Sequence, residues 1–209
     1  EFFENKVANK ERYNKLFVQA EKYLKTIQEK LFELDFFKNS IVLVISDHGI
    51  SIGEKLGERA YGVFCYDTTL ISTALFCHPK LNSMTYRKQV RSIDILPTIL
   101  ELLSIESDMN FRNMDGKSLI PLINGHTESR IAFSQSGNPL DSGKPPKEPN
   151  VYSVRTDEWK YIRNIHDSTE ELYDLLNDPH ENSNLFSQKT EKSVEMSNLM
   201  DEILNQKTQ

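Results

Sequence analysis

Apolar residues recur at three- and four-residue spacing over residues 10–34, where Tyr13, Leu16, Ala20, Leu24, Ile27, Leu31 and Leu34 are separated by Lys and Glu. That period predicts an amphipathic helix. Asn39-Ser40 breaks it, and Ile41-Val42-Leu43-Val44-Ile45 follows with no alternation. A run apolar on both faces predicts a buried, parallel strand. It ends in Ser46-Asp47-His48-Gly49, and a glycine-containing loop occupies roughly 49–62. Leu70 to Cys77 predicts a second strand, stopped at Pro79. A helix is predicted over 94–104, with Ser92 and Asp94 as alternative caps and Pro97 in its first turn, where no intrahelical acceptor is needed. Helix, strand, loop, strand, helix is an α/β order.

The texture changes after Gly125. Ile131–Ser134, Val151–Arg155, Trp159–Arg163 and Glu171–Leu175 are short strand-like pieces separated by turns, including Gly137 to Asn150 with four prolines. They predict a small antiparallel sheet. Trp159 and Tyr161 alternate with Lys160 and Ile162, which suits a half-buried strand. Val194, Met196, Leu199, Met200, Ile203 and Leu204 predict a closing helix over about 190–205.

Composition narrows the class. The 209 residues suffice for one domain, or a core with a small appendage. Hydrophobic residues make up 38% and charged residues 27%, as in an ordinary soluble chain. The formal charge of -6 argues against a nucleic-acid or anionic-membrane partner. No apolar run approaches the ~20 residues of a membrane span, and no signal peptide is visible. The chain begins Glu1-Phe2-Phe3 without Met, so the expectation is that its true N-terminus lies upstream. Cys65 and Cys77 are too far apart for a CxxC site and too few for a disulfide scaffold, and read as two buried thiols. His126, His166 and His180 lie in polar turns and are expected to be exposed.

Chemistry is concentrated at Asp47 and His48. In open α/β sheets the loops at the C-terminal ends of strands splay apart and leave a crevice for ligands. Asp offers a hard anionic oxygen, His a nitrogen or a hydrogen-bond donor, and Gly49 lets the backbone turn beside them. On its own Asp-His-Gly also fits a turn or helix cap.

Ile41 to Gly49, followed by Ile52-Gly53-Glu54, resembles the metal-site strand and "LGE" loop of the sulfatase family, in the alkaline-phosphatase superfamily. The likeness continues in order. Tyr66-Asp67 resembles that family's "YD" before the next strand, Ser92 to Leu100 its "vDi-PTll" helix, and Asp115 to Leu119 its "DG-SL" turn. Val154-Arg155-Thr156 and Trp159 to Ile162 resemble its "vRt…WKyi" strands. Glu171 to Leu175, Asp178 to Glu181 and Asn184-Leu185 resemble its "ELYDL-nDP-E--NL" ending.

The resemblance implies an alkaline-phosphatase-like fold: a mixed, mostly parallel sheet with flanking helices, here in part, followed by a small antiparallel sheet and a helix. Residues 1–125 would be the C-terminal part of the α/β core and 126–209 an antiparallel-sheet subdomain. It implies one divalent cation, usually calcium, with Asp47 and His48 matching the family's later ligand pair. Imidazole is a poor calcium ligand, so a direct bond from His48 would favour manganese or zinc; otherwise His48 would donate to the bound sulfate. The family's earlier aspartates and its C/S-x-P-x-R nucleophile, converted to formylglycine, have no counterpart here. Cys77-His78-Pro79-Lys80-Leu81 has Leu where Arg is required, and lies after the metal pair. The family's sulfate-holding Lys or His aligns with Tyr61, leaving Lys55 and Arg59 as the nearby cations. The implied activity is hydrolysis of small-molecule or glycan sulfate esters. Hydrolysis of phosphate esters or phosphonates, transfer of phospho head groups, and a non-catalytic chain stay open alternatives.

Overall fold

The computed structural model describes residues 5–105, 114–139, 144 and 146–207. Part of the proline-rich turn, at 140–143 and 145, lies outside them. The chain divides into two compact units, Glu1–Met84 and Thr85–Gln209.

In the first unit α1 spans Lys6–Glu33, capped by the Asn5 side chain, which accepts from the Ala8 N–H. The helix forms as predicted but its apolar stripe is uncovered: Leu16, Leu24 and Ile27 are each at least half exposed. Asn9 is the helix's buried residue among those described, and its amide donates to the Ile52 carbonyl at 3.2 Å. A short turn, α2 (Phe36–Asn39), leads into β1 (Val42–Ile45). After a long loop come α3 (Asp67–Leu70) and β2 (Ala74–Cys77).

β1 and β2 are neighbours, with Val42 opposite Cys77 and Ile45 opposite Ala74, but they run antiparallel. The parallel strand predicted from the unbroken apolar run is not found among the described residues. Such a run reports that both faces suit burial and is only correlated with a parallel partner; here the partner runs antiparallel. Nor are these strands buried: Val44, Ile45 and Leu75 are exposed. β2 is also shorter than predicted, because Asp67–Leu70 closes a helical turn with the Ile71 N–H on the Asp67 carbonyl. Cys65 is a buried thiol, whereas Cys77, expected to be buried, sits exposed on this uncovered two-stranded ribbon.

In the second unit a 3-10 turn (Ser92–Asp94) runs directly into α4 (Ile95–Leu102), and α5 spans Ile120–Ile123. Asp94 does not cap α4 with its side chain. Its fully buried carboxylate instead accepts the Arg91 and Lys117 backbone N–H groups, both at 3.0 Å. It also pairs with the Arg91 and Arg130 guanidiniums at 2.8 and 2.9 Å. Burial alone would raise the Asp94 pKa; the hydrogen bonds from Arg91, Lys117 and Arg130 together hold it below the usual carboxylate range. This knot ties the start of α4 to the Asp115–Leu119 turn, where Gly116 has no room for a Cβ against the Ile93 carbonyl.

The antiparallel sheet forms as predicted: β3 (Ala132–Ser136), β4 (Val151–Arg155), β5 (Trp159–Asn164) and β6 (Thr169–Asp174), in the order β3-β4-β5-β6. α6 (Thr190–Lys207) packs Met196 and Met200 against Val154, Tyr161 and Leu172. Arg163 fastens that contact to Asp201 at 2.6 Å and to Ser197 at 2.8 Å. β5 is not half-buried. Lys160 is as inaccessible as Tyr161, because its ammonium meets the buried Glu181 carboxylate at 2.6 Å. Alternation counted Lys160 as a polar, solvated position; a buried partner ten or more residues away reverses that. His126, His166 and His180 are exposed, as expected.

Candidate functional site

Asp47 and His48 leave the end of β1 where the backbone is held from several sides. The Ser46 N–H donates to the Thr73 carbonyl at 3.0 Å, and the Thr73 N–H returns a bond to Ser46 Oγ at 2.8 Å. The Gly49 N–H donates to the Thr69 carbonyl at 2.9 Å. A Cβ on Gly49 would lie 2.4 Å from the Thr68 carbonyl oxygen, so the backbone approach of the α3 turn requires glycine there.

This turn sets the pair's orientation. The Asp47 side chain is 86% exposed, and its Oδ1 accepts the His48 N–H at 2.9 Å. His48 Nδ1 lies 2.6 Å from the Gly49 carbonyl oxygen. A carbonyl only accepts, so Nδ1 carries the proton and donates, and in the neutral ring Nε2 keeps its lone pair. Nε2 stands 3.5 Å from Asp47 Oδ2. Two electron-pair donors therefore lie side by side at the end of β1, the carboxylate well exposed and the imidazole partly so. A backbone carbonyl fixing one imidazole nitrogen while the other is presented is how metal-binding histidines are held.

The loop after the pair is built around a second buried carboxylate. Glu58, fully buried, accepts the backbone N–H groups of Arg59 (2.8 Å) and Val63 (2.6 Å) on Oε1 and of Phe64 (3.2 Å) on Oε2. Glu54 does the same on a smaller scale for Ile52 and the Ser51 hydroxyl. Lys55 is largely buried, its ammonium 5.0 Å from the centre of the Tyr66 ring. Arg59 is exposed. The Tyr61 ring meets the His48 ring with centroids 5.7 Å apart and planes 77° to each other. The sequence gives no sign of Glu58's role or of the Tyr61–His48 contact; the glycines at 49 and 62 that make the close approaches are the only trace. Among the described residues no three His, Cys, Asp or Glu side chains gather as a complete metal site. No helix among them is long and apolar enough to cross a membrane.

Residues 62–209 match the family described as N-sulphoglucosamine sulphohydrolase, C-terminal. The chain belongs to this sulfatase family. Mouse arylsulfatase K is 26% identical over 211 residues, which cover 98% of this chain and 37% of that protein, and so include β1 and the Asp47–His48 pair. N-acetylglucosamine-6-O-sulfatase of Bacteroides thetaiotaomicron is 27% identical over 188 residues, 85% of this chain and 32% of that protein. The sulfatase chain thus spans about a third of the length of these relatives. Its fold is shared with a solved structure described as a complex with its substrate D-glucosamine-2-N,6-O-disulfate, at a TM-score of 0.71 and 21% identity over 91% of this chain and 39% of that one. It is shared also with the phosphonate monoester hydrolase of Silicibacter pomeroyi, at a TM-score of 0.65 and 20% identity over 90% of this chain and 38% of that one.

Proposed function

We propose that this chain is part of a metal-dependent sulfuric ester hydrolase and supplies two ligands of its cation, Asp47 and His48. The observation that carries this reading is the presentation of His48 Nε2 and Asp47 Oδ2, 3.5 Å apart, on an exposed turn oriented by the Gly49 carbonyl. The donor set fits half of a divalent-cation site. Calcium takes about 6–8 oxygens, so the other ligands come from elsewhere in the whole protein. Asp47 is the hard ligand. A direct bond from His48 selects for manganese or zinc; with calcium, a protonated His48 donates to the sulfate instead. When bound, the cation offsets charge developing on the ester oxygens and orients the nucleophile. Exposed Arg59 is available to the anionic ester; Lys55, held over Tyr66, shapes the loop and faces the substrate only if that contact opens.

The nucleophile lies outside this chain, and Cys77 takes no part. By family role, residues 1–125 belong to the α/β core and 126–209 to the C-terminal subdomain. The uncovered apolar sides of β1 and β2 fit strands of a larger, mostly parallel alkaline-phosphatase-like sheet. Sulfated sugars are the favoured substrates, since relatives acting on glucosamine sulfates match the chain by sequence and by fold. The likeness to a phosphonate monoester hydrolase supports a second reading, a phosphonate or phosphate ester substrate at the same metal.

Turnover of N-acetylglucosamine 6-sulfate and of a phenylphosphonate monoester by the complete protein separates the two readings. Sulfate hydrolysis lost in Asp47→Ala is the expected result. Undiminished turnover in Asp47→Ala would remove the assignment. The isolated 209-residue chain is expected to hydrolyse neither.

A further inference from the structure

We infer that Tyr61 is a substrate-contacting residue of this site, an aromatic wall for the sugar ring that carries the sulfate. The inference rests on the sulfatase reading above and names the part of the substrate the loop would recognise.

Tyr61 is 74% exposed, and burying an aromatic side chain is ordinarily favourable, so exposure alone leaves two explanations. Leu56, on the same loop and 98% exposed, is an incidental surface residue, as single exposed apolar side chains commonly are. Two observations set Tyr61 apart. The first is its place: its ring abuts the ring of His48, whose Nε2 lies 3.5 Å from Asp47 Oδ2. The second is the rigidity of its mounting. The Ala60 carbonyl accepts the Ser51 N–H at 3.0 Å, and the Gly62 N–H donates to the Arg59 carbonyl at 2.9 Å. Gly62 has φ of +82°, and a Cβ there would lie 2.6 Å from Thr69 Oγ1, so the turn just beyond Tyr61 requires glycine. The buried Glu58 carboxylate holds the N–H groups on both sides of this turn.

A buried carboxylate and a left-handed glycine here hold in place a side chain that, apart from its contact with the His48 ring, stands largely in solvent. They make sense if the ring must keep its position beside His48 before a ligand arrives, since pre-organised groups lose less freedom on binding. A phenol ring offers an apolar face to the C–H side of a sugar and a hydroxyl to its polar rim. It carries no charge with which to hold the sulfate itself. Its contribution therefore falls on the alcohol portion of the ester and not on the anion.

The test is steady-state hydrolysis by the complete protein of N-acetylglucosamine 6-sulfate and of propyl sulfate, which has no ring. Tyr61→Leu and Tyr61→Phe are compared with wild type, and thermal melting and metal content confirm that both variants are folded and loaded. In Tyr61→Leu the ratio of kcat/KM for the sugar ester over propyl sulfate is expected to fall about tenfold, mostly through KM, and in Tyr61→Phe by less. If Tyr61→Leu changes both substrates by the same factor, or neither, the inference is wrong while the sulfatase reading stands. If wild type turns over neither sulfate, the sulfatase reading fails and takes this inference with it.

Discussion

Gly49 is the residue on which the local geometry of the Asp47–His48 pair depends most. Replacing it with Ala drives a Cβ into the Thr68 carbonyl and must displace either the α3 turn or the His48 backbone. A loss of about 1–3 kcal/mol in stability is expected, measurable by urea unfolding, with loss of the His48 Nδ1 bond seen in the imidazole nitrogen shifts. The Asp94 knot bears on pH. Its folded pKa is depressed, so it contributes stability that is present above the ordinary carboxylate pKa and is lost as pH falls through the lower, folded value. Acid unfolding below about pH 4 should therefore steepen with Asp94 intact and flatten in Asp94→Asn. Removing Arg130 instead leaves part of a buried charge unpaired, at about 3–5 kcal/mol, and a smaller loss would show that Arg91 alone suffices. The turn at Asp47 and His48 was legible in sequence because a strand end followed by glycine is a local pattern, whereas a metal role for the pair came only from the resemblance to sulfatases. The role of Glu58 and the contact of Tyr61 with His48 were not legible, because which side chains fold back on a loop depends on backbone approaches, here at Gly49 and Gly62, that spacing along the chain does not encode.

Among the elements, the four-stranded sheet with α6 carries the best-packed core. Met200 is completely buried against it, and Met200→Ala is expected to cost about 2–5 kcal/mol by denaturant titration. Lys160→Met should cost about 3–5 kcal/mol by stranding the Glu181 carboxylate, while Lys160→Met with Glu181→Gln recovers much of that. Equal losses in the single and double variants would show the pair is not energetically coupled. These strands were readable to within a residue or two because alternation and turn residues mark each one. What alternation misread was the lysine, since it scores a side chain by type and not by its distant partner. β1 and β2 were recognised as strands, yet their direction and exposure were not, because an unbroken apolar run does not identify the partner that pairs with it or covers it.

Over the whole molecule the contrast lies between that core and the outward apolar side of α1, β1 and β2. Local opening is easiest where few apolar contacts are buried, so amides of β4, β5 and α6 should exchange slowly and those of α1 within Lys6–Glu33 much faster in the isolated chain. Uniform protection would mean that α1 is covered in solution, by another copy for instance. The central claim, that the end of β1 presents half of a divalent-cation site, is tested most directly by titrating manganese into the isolated chain and recording the paramagnetic broadening of each assigned resonance. The expected result is that Asp47, His48 and Gly49 broaden first, at low affinity because only two ligands are present, and that this selectivity disappears in Asp47→Ala. Broadening centred on another carboxylate, or the same pattern around His48 with Asp47 replaced, would contradict the account.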